Sequence, residues 1–253
     1  MPATPAWPPQ SAPRLYVTTP LGEGAPVALD GNPAHYLLHV MRLKLGDAVL
    51  LFDGSSGEWL AEVAEARKRD VTLSVLRQTK PPESVPDFWL CAAPVKKARM
   101  EWLIEKATEL GVAEIRPILT RRSVVDKINP DRLTAQMVEA AEQCGRTALP
   151  TLDQARALKQ FLADFPEQRS LFFADEQGGT PFAEAITAHP GPAALLIGPE
   201  GGFDDPEREA IRAHPQAVPI SLGPRILRAE TAAIAATSVW MALAGDWAGT
   251  PTG

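Results

Sequence analysis

The chain has 253 residues, 45% of them hydrophobic and 22% charged, a globular composition that excludes disorder as a description of the whole. Its 25 basic and 31 acidic residues leave a net charge of -6, which excludes a histone-like polycation and confines any nucleic-acid contact to local patches. Two cysteines, Cys91 and Cys144, stand far apart with no CxxC and no His cluster beside them. Neither a disulfide scaffold nor a zinc module is expected, and no metal is assigned.

Residues 1–13 hold five prolines and no charged segment leading into an apolar one, so they read as a disordered leader of a cytoplasmic protein. Residues 14–80 then offer the apolar runs RLYVTT, PVALD, DAVLLFDG, EWLAEVAEA and VTLSVLRQ between turn residues. That pattern predicts a small β-barrel. A helical insert from Asn32-Pro33 to Arg42 opens with a cap residue and a proline at the first helical position. The stretch TKPPESVPD can continue neither a central strand nor a helix, and the domain boundary is placed there, with 81–87 as linker.

From 88 to 248 short apolar runs alternate with amphipathic helices, the signature of an α/β layer with a parallel sheet. The expected strands are FWLCAAP, EIRPIL, SLFFAD, AALLI and AVPISL. Helices are expected to begin near Lys97, Pro130, Asp153, Thr180, Pro206 and Arg228, the first closed at Gly111 by a left-handed cap. The longest uncharged run, Thr231 to Gly245, has 15 residues. A membrane span needs about 20 apolar residues, so it reads as a buried helix and no membrane is expected.

Two segments in this half place a Gly-Pro loop between a strand and a helix, at 193–211 and 217–244. The first loop, Gly198-Pro199-Glu200-Gly201-Gly202, leads to a helix capped by Asp204 or Asp205, and it lies at the carboxyl end of a strand, where open α/β sheets bind ligands. The second, Gly223-Pro224-Arg225-Ile226-Leu227-Arg228, mixes apolar residues with two arginines. Neither ends in Gly-Lys-Ser/Thr or matches GxGxxG, which disfavours a nucleoside triphosphate. One such loop alone is usually just a tight turn. Two after successive strands, with an apolar floor and few charges, suit a neutral heterocycle such as adenine.

Other residues read more simply. Residues 94–132 hold 9 basic and 6 acidic groups, a locally positive stretch that would ordinarily be a solvated surface. His35 and His39 share a helix face, but a metal would need further ligands that are missing nearby. His189 and His214 look like surface residues at helix ends, and Cys144 like a small buried residue.

The combination GPEGGF and LGPRILRAETAA resembles the two C-terminal motifs of the RsmE family of ribosomal RNA uridine-N3 methyltransferases, in the SPOUT class. KKARMEWLIEKATELG at 96–111, EQCGR at 142–146 and HYLLHVMRLKLGD at 35–47 are similar to further motifs of that family, in the same order. Lys97-Ala98 departs from it, since relatives often carry Gly and an acidic residue there. The resemblance implies a PUA-like RNA-binding barrel and a C-terminal SPOUT domain whose last strand-loop-helix forms a trefoil knot.

It also implies S-adenosyl-L-methionine as cofactor, held by Leu196, Gly198, Glu200 and Gly201 in one loop and Leu222, Gly223, Ile226, Leu227 and Arg228 in the other. A homodimer using the Ala-rich last helix, and small-subunit ribosomal RNA within the assembled subunit as substrate, follow from the same likeness. Phosphate contacts are expected from Lys96, Lys97, Arg99, Arg121, Arg122 and Arg146, with Arg14, His35 and Arg42 in the barrel.

Methylation at uracil N3 requires the Watson-Crick edge to be free and N3 to lose its proton. Arg225 and Arg228 are expected to stabilise charge on the pyrimidine or clamp a phosphate, and Glu230 or Glu200 to accept the proton. The plainer reading makes Glu230 an acid favoured by the helix dipole, Glu200 a loop acid bonded to backbone amides, and Arg228 the ion-pair partner of Glu230. Two other functions compete: a methyltransferase acting on a ribose 2'-hydroxyl or another base, and a non-catalytic RNA-binding assembly factor.

Overall fold

Runs of branched and aromatic residues separated by Gly and Pro turns build the chain from Arg14 to Lys80, as β-pairing on a half-buried surface requires. The computed structural model describes residues 12–125 and 128–248; most of the expected leader lies outside them. Two compact units divide the chain.

The first unit holds β1 (Arg14–Tyr16), β2 (Pro26–Leu29), β3 (Ala48–Phe52), β4 (Glu58–Ala66) and β5 (Val71–Lys80) in one sheet of order β1-β3-β4-β5-β2. β1 runs parallel to β3, and the other pairs are antiparallel. Alternate residues such as Val71, Leu73 and Val75 go inward, onto a core that includes Val27, Leu37, Leu51 and Val63. The helical insert is α1 (Gly31–His35) followed by a π-helical turn, Tyr36–Val40. It ends at Arg42, whose φ of 57° is the one positive value at a non-glycine residue among the described residues.

This unit runs to Ser84 and also takes in Ala141–Leu149. The sequence had placed 141–149 in the α/β domain and 81–84 in a linker. Side-chain bonding accounts for the difference. Arg14, over the Phe52 ring at 4.2 Å, pairs with Glu58 at 2.5 Å and donates to the carbonyls of Ala141 and Arg146. Arg146 pairs with Glu83 at 2.9 Å, and the Thr147 amide donates to the same carboxylate. A buried guanidinium must find acceptors for its donors, and here the carbonyls of 141–149 supply them.

The second unit is a layer built on a parallel sheet. Its strands are β6 (Phe88–Ala92), β7 (Glu114–Leu119), β8 (Thr151–Leu152), β9 (Arg156–Ala157), β10 (Ser170–Ala174), β11 (Thr180–Pro181), β12 (Ala193–Ile197) and β13 (Ala217–Ser221). Their order is β11-β13-β10-β12-β6-β7-β8, with β9 pairing β7. The helices are α2 (Lys97–Glu109), α3 (Pro130–Cys144, which belongs to this unit as far as Ala140), α4 (Leu158–Ala163), α5 (Phe182–Ala188), α6 (Asp205–Arg212) and α7 (Ala229–Leu243). The start expected near Asp153 is corrected, because two short strands occupy that stretch and α4 begins at Leu158. Gly111 closes α2 with φ 89°.

Period-two alternation splits each central strand between two cores. Leu90, Leu195 and Phe172 join α2, α3, α5 and α7 on one face, while Cys91, Leu196 and Phe173 join α4 and α6 on the other. β10 lies between β12 and β13, so the chain passes from β10 through α5 to β12, then through α6 to β13 on β10's other side. The loops leaving these three strands therefore gather at one edge of the sheet.

Candidate active site

Three loops at that edge enclose a cavity of about 420 Å³, lined by residues following β10, β12 and β13. A volume of a few hundred Å³ is that of a small-molecule or cofactor site. Its floor is apolar: Ala174, Ile197, Ile220, Ala229 and Ala232 all line it. Gly198, Pro199, Leu222 and Gly223, from the loops after β12 and β13, also line it.

Local chemistry sets each loop. After β12 the chain turns at Gly202 with φ 67°, and a Cβ there would lie 2.5 Å from the Glu176 carboxylate. The positive φ favours glycine here, and a larger residue would also have to displace the Glu176 carboxylate. Asp204 then caps α6, its side chain accepting from the Glu207 amide while Glu207 returns a bond to the Asp204 amide. After β13, Gly223 takes φ 109°, and the main chain reaches the start of α7 with Arg228 as its N-cap residue.

Glu176, on the loop after β10, is held by Arg208 at 2.5 Å. Arg208 also meets Asp175 at 3.3 Å, and Asp175, fully buried, receives two bonds from Arg212 at 2.8 and 2.6 Å. Asp175, Glu176 and Arg208 line the cavity. The strand-end run ASP-GLU-GLN-GLY-GLY at 175–179 was not singled out in the sequence, although acids and glycines at the end of a strand carry the same signal as the two Gly-Pro loops.

Glu200 lines the cavity and pairs with Arg99 at 3.0 Å. Glu230 pairs with the same guanidinium at 3.5 Å, and its second oxygen, Oε2, is buried with no hydrogen-bond partner. Arg99 was expected to touch phosphate; here it joins two acids. The anticipated Arg228–Glu230 pair is not formed. Arg225 and Arg228 are exposed on the lining, without a side-chain bond among the described residues, and Ile226 between them is 93% exposed.

Of the residues expected around a cofactor, Gly198, Glu200, Leu222, Gly223, Ile226, Leu227 and Arg228 all line this cavity. Leu196 does not. Its side chain is buried with Cys91, Ile118 and Phe203 on the other face, so the neighbouring Ile197 takes its place. Gly201 is likewise replaced on the lining by Gly202; its carbonyl accepts from Arg122 at 2.7 Å.

The expected phosphate contacts divide. Lys96 and Lys97, at the start of α2, are exposed, as are His35 and Arg42 in the first unit. His35 packs against His39, ring centroids 5.0 Å apart. Arg121 and Arg122 are exposed but bonded to the α6 loop: the Arg121 amide donates to Glu207, and its guanidinium lies 3.4 Å from Asp204. Arg14 and Arg146 are corrections, since both are buried in the ion pairs described above and hold the first unit together.

His214 is also more than a surface residue, with Nε2 3.0 Å from the Leu162 carbonyl. Cys144 is exposed, contrary to expectation, whereas Cys91 is buried and its thiol is pushed far up by burial. Among the described residues no helix is long and apolar enough to cross a membrane.

With this geometry established, the chain can be compared with known proteins. The family model described as RNA methyltransferase domain matches residues 81–241, and that described as RNA methyltransferase PUA domain matches 29–76. The class is thus that of RNA methyltransferases carrying a PUA domain ahead of an α/β domain. A relative from Rickettsia conorii named ribosomal RNA small subunit methyltransferase E is 31% identical over 227 residues, covering 88% of this chain and 92% of that protein. The Bacillus subtilis protein of the same name is 30% identical over 231 residues, covering 85% of this chain and 90% of its own length. This chain belongs to the ribosomal RNA small subunit methyltransferase E family.

Among solved structures, that family's protein from Neisseria gonorrhoeae, bound to S-adenosyl methionine, superposes with a TM-score of 0.83 at 27% identity, covering 92% of this chain and 98% of that one. A methyltransferase from Legionella pneumophila, also holding the cofactor SAM, gives 0.83 at 34% identity over 93% of this chain and 99% of the other.

Proposed function

We propose that the protein transfers the methyl group of S-adenosyl-L-methionine to N3 of one uridine in small-subunit ribosomal RNA, acting in the cytoplasm on the assembled subunit. The observation that carries this reading is the cavity at the ends of β10, β12 and β13, where an apolar floor and glycine-bearing main chain meet two unpartnered arginines at an open rim. When bound, the cofactor supplies an electrophilic methyl. An adenine ring suits the apolar floor of Ile197, Ile220 and Ala232, with Gly198, Leu222 and Gly223 beside it on the lining. Relatives similar over nearly the whole chain are solved with this cofactor.

The protein's own contribution is alignment and charge. N3 of uracil carries a proton that must leave as the new N–C bond forms, and negative charge then spreads to the two ring oxygens. Arg225 and Arg228 present planar donor forks at the rim and stabilise that charge. Of the two acids, Glu200 is on the cavity lining and accepts the proton; Glu230 is off the lining and shares Arg99 with it. Ile226, almost fully exposed, supplies an apolar surface for the base extruded from its stack. Lys96, Lys97, His35 and Arg42 remain as exposed contacts for phosphate. The second-unit helices α2 and α7 pack together and leave Trp102, Val239 and Leu243 exposed, an apolar surface suited to a homodimer through the last helix. The trefoil knot belongs to the same reading.

The test is incubation with S-adenosylmethionine and small subunits from cells lacking this methyltransferase, followed by reverse transcription. An N3 methyl blocks pairing, so a single cofactor-dependent stop at a uridine is expected, and Arg228→Ala should abolish it. Methyl incorporation without a stop would assign the chemistry to a ribose or another silent position. No incorporation would leave an RNA-binding factor.

A further inference from the structure

Arg99 occupies a position that phosphate binding does not explain. It lies in the first turn of α2, and its guanidinium reaches two acids from two different elements: Glu200 in the loop after β12, at 3.0 Å through Nη1, and Glu230 in the first turn of α7, at 3.5 Å through Nε. One donor fork thus ties α2 to the first Gly-Pro loop and to the start of the helix that follows the second. Resting on the function proposed above, we infer that Arg99 is a positioning residue for methyl transfer, fixing Glu200 against the cavity and compensating Glu230, rather than a contact for RNA.

Three observations carry this. The guanidinium is already engaged on two sides, so its charge is met by two carboxylates of this chain. The Glu230 side chain is only 12% exposed, its Oε2 is buried without a hydrogen bond, and Arg99 is its ion-pair partner, so without Arg99 a carboxylate stays largely buried and uncompensated. Lastly, Glu200 belongs to a five-residue segment of glycines, proline and one acid, whose tether to α2 is this pair. The other tether of that loop, Arg122 to the Gly201 carbonyl, holds main chain and leaves the carboxylate free to turn. Partly exposed ion pairs add little to overall stability, whereas a displacement of about 1 Å in a reacting group lowers a rate by about 100-fold. The pair therefore acts on geometry more than on the fold.

The test compares Arg99→Met, Arg99→Lys and Glu230→Gln in the full chain, by steady-state methylation of small subunits and by amide hydrogen exchange without cofactor. Arg99→Met should lower kcat by about 10- to 100-fold with KM for the subunit unchanged. Amides at 198–203 should exchange faster while those of β6 and β12 do not. Arg99→Lys, whose single ammonium meets one acid well, should recover part of both losses. Because Glu230→Gln removes the charge that Arg99 compensates, the double variant with Arg99→Met should fall less than the product of the single effects.

A raised KM with kcat intact, or exchange unchanged in Arg99→Met, would overturn the inference and return Arg99 to RNA. So would additive losses together with full activity in Arg99→Lys. A wild-type protein that transfers no methyl at all would defeat the proposed function instead, and the exchange data would still decide whether Arg99 holds the loop.

Discussion

Asp53 sits in the turn between β3 and β4, accepting from the amides of Ser55 and Ser56 at 2.9 and 2.7 Å and from the Leu21 amide at 3.1 Å. Burial pushes its carboxyl up, but the bonds from Ser56, Ser55 and Leu21 outweigh burial and hold it at about 2 against an ordinary 3.8. A folded value below the unfolded one means the stabilisation is complete above the unfolded value and is lost as pH falls from about 4 toward 2. In urea unfolding, Asp53→Asn should therefore be less stable than wild type by a constant amount from neutral pH down to about 5, and the gap should narrow between about pH 4 and 3. A gap that persists unchanged at pH 3 would mean the charge is not what organises this turn. Glu58 shows the same balance in a more buried setting. Burial raises its carboxyl, and Arg14 with Thr79 brings it below the usual range. Its partner Arg14 explains why counting cations overstates an RNA-binding surface: an arginine whose side chain is only 10% exposed, with an internal acid and two carbonyl acceptors, presents little of its charge to a phosphate.

Helix α6 depends on its first turn. Asp204 and Glu207 cap it reciprocally, and both also receive bonds from Arg121. Asp204→Ala should cost about 1 kcal/mol in urea unfolding, and Asp204→Ser should restore most of it, because a hydroxyl can accept the same amide bond. An equal loss in both variants would show that the Arg121 contact, and not the cap, holds the turn. This element was legible in the sequence because Asp-Asp-Pro-Glu after a Gly-rich loop states its own start. So were the five central strands of the α/β layer, where consecutive branched and aromatic residues allow no other burial. Failures of reading came where tertiary contacts decide. Leu196 and Ile197 are both apolar members of one strand, and only the sheet's register says which faces the cavity. The Arg99 cluster joins residues about a hundred positions apart, and the 175–178 loop becomes part of the site only because β10 lies between β12 and β13. The turn at Asp153 was misread because a capping residue is equally at home between two short strands.

The division of the whole chain follows packing more than chain order. Both cores of the second unit draw all their buried residues from positions beyond 84, while 141–149 rely on Arg14, Glu58 and Glu83 for bonds to Arg146, Thr147 and the Ala141 carbonyl. Removing residues 1–84 should therefore have two separable effects. The parallel sheet and its cavity should stay folded and bind S-adenosylhomocysteine with an affinity close to that of the full chain. Segment 141–149, stripped of its partners, should become the first site of tryptic cleavage, after Arg146, and its amides should lose protection from exchange. Methyl transfer to small subunits should vanish, since His35 and Arg42 leave with the deleted unit. Calorimetric titration, limited proteolysis and the reverse-transcription assay measure the three outcomes independently. Retained methylation would deny the first unit its role in RNA recognition. A truncated protein that is folded by circular dichroism yet binds no cofactor would mean that the cavity requires more of the chain than the residues that line it.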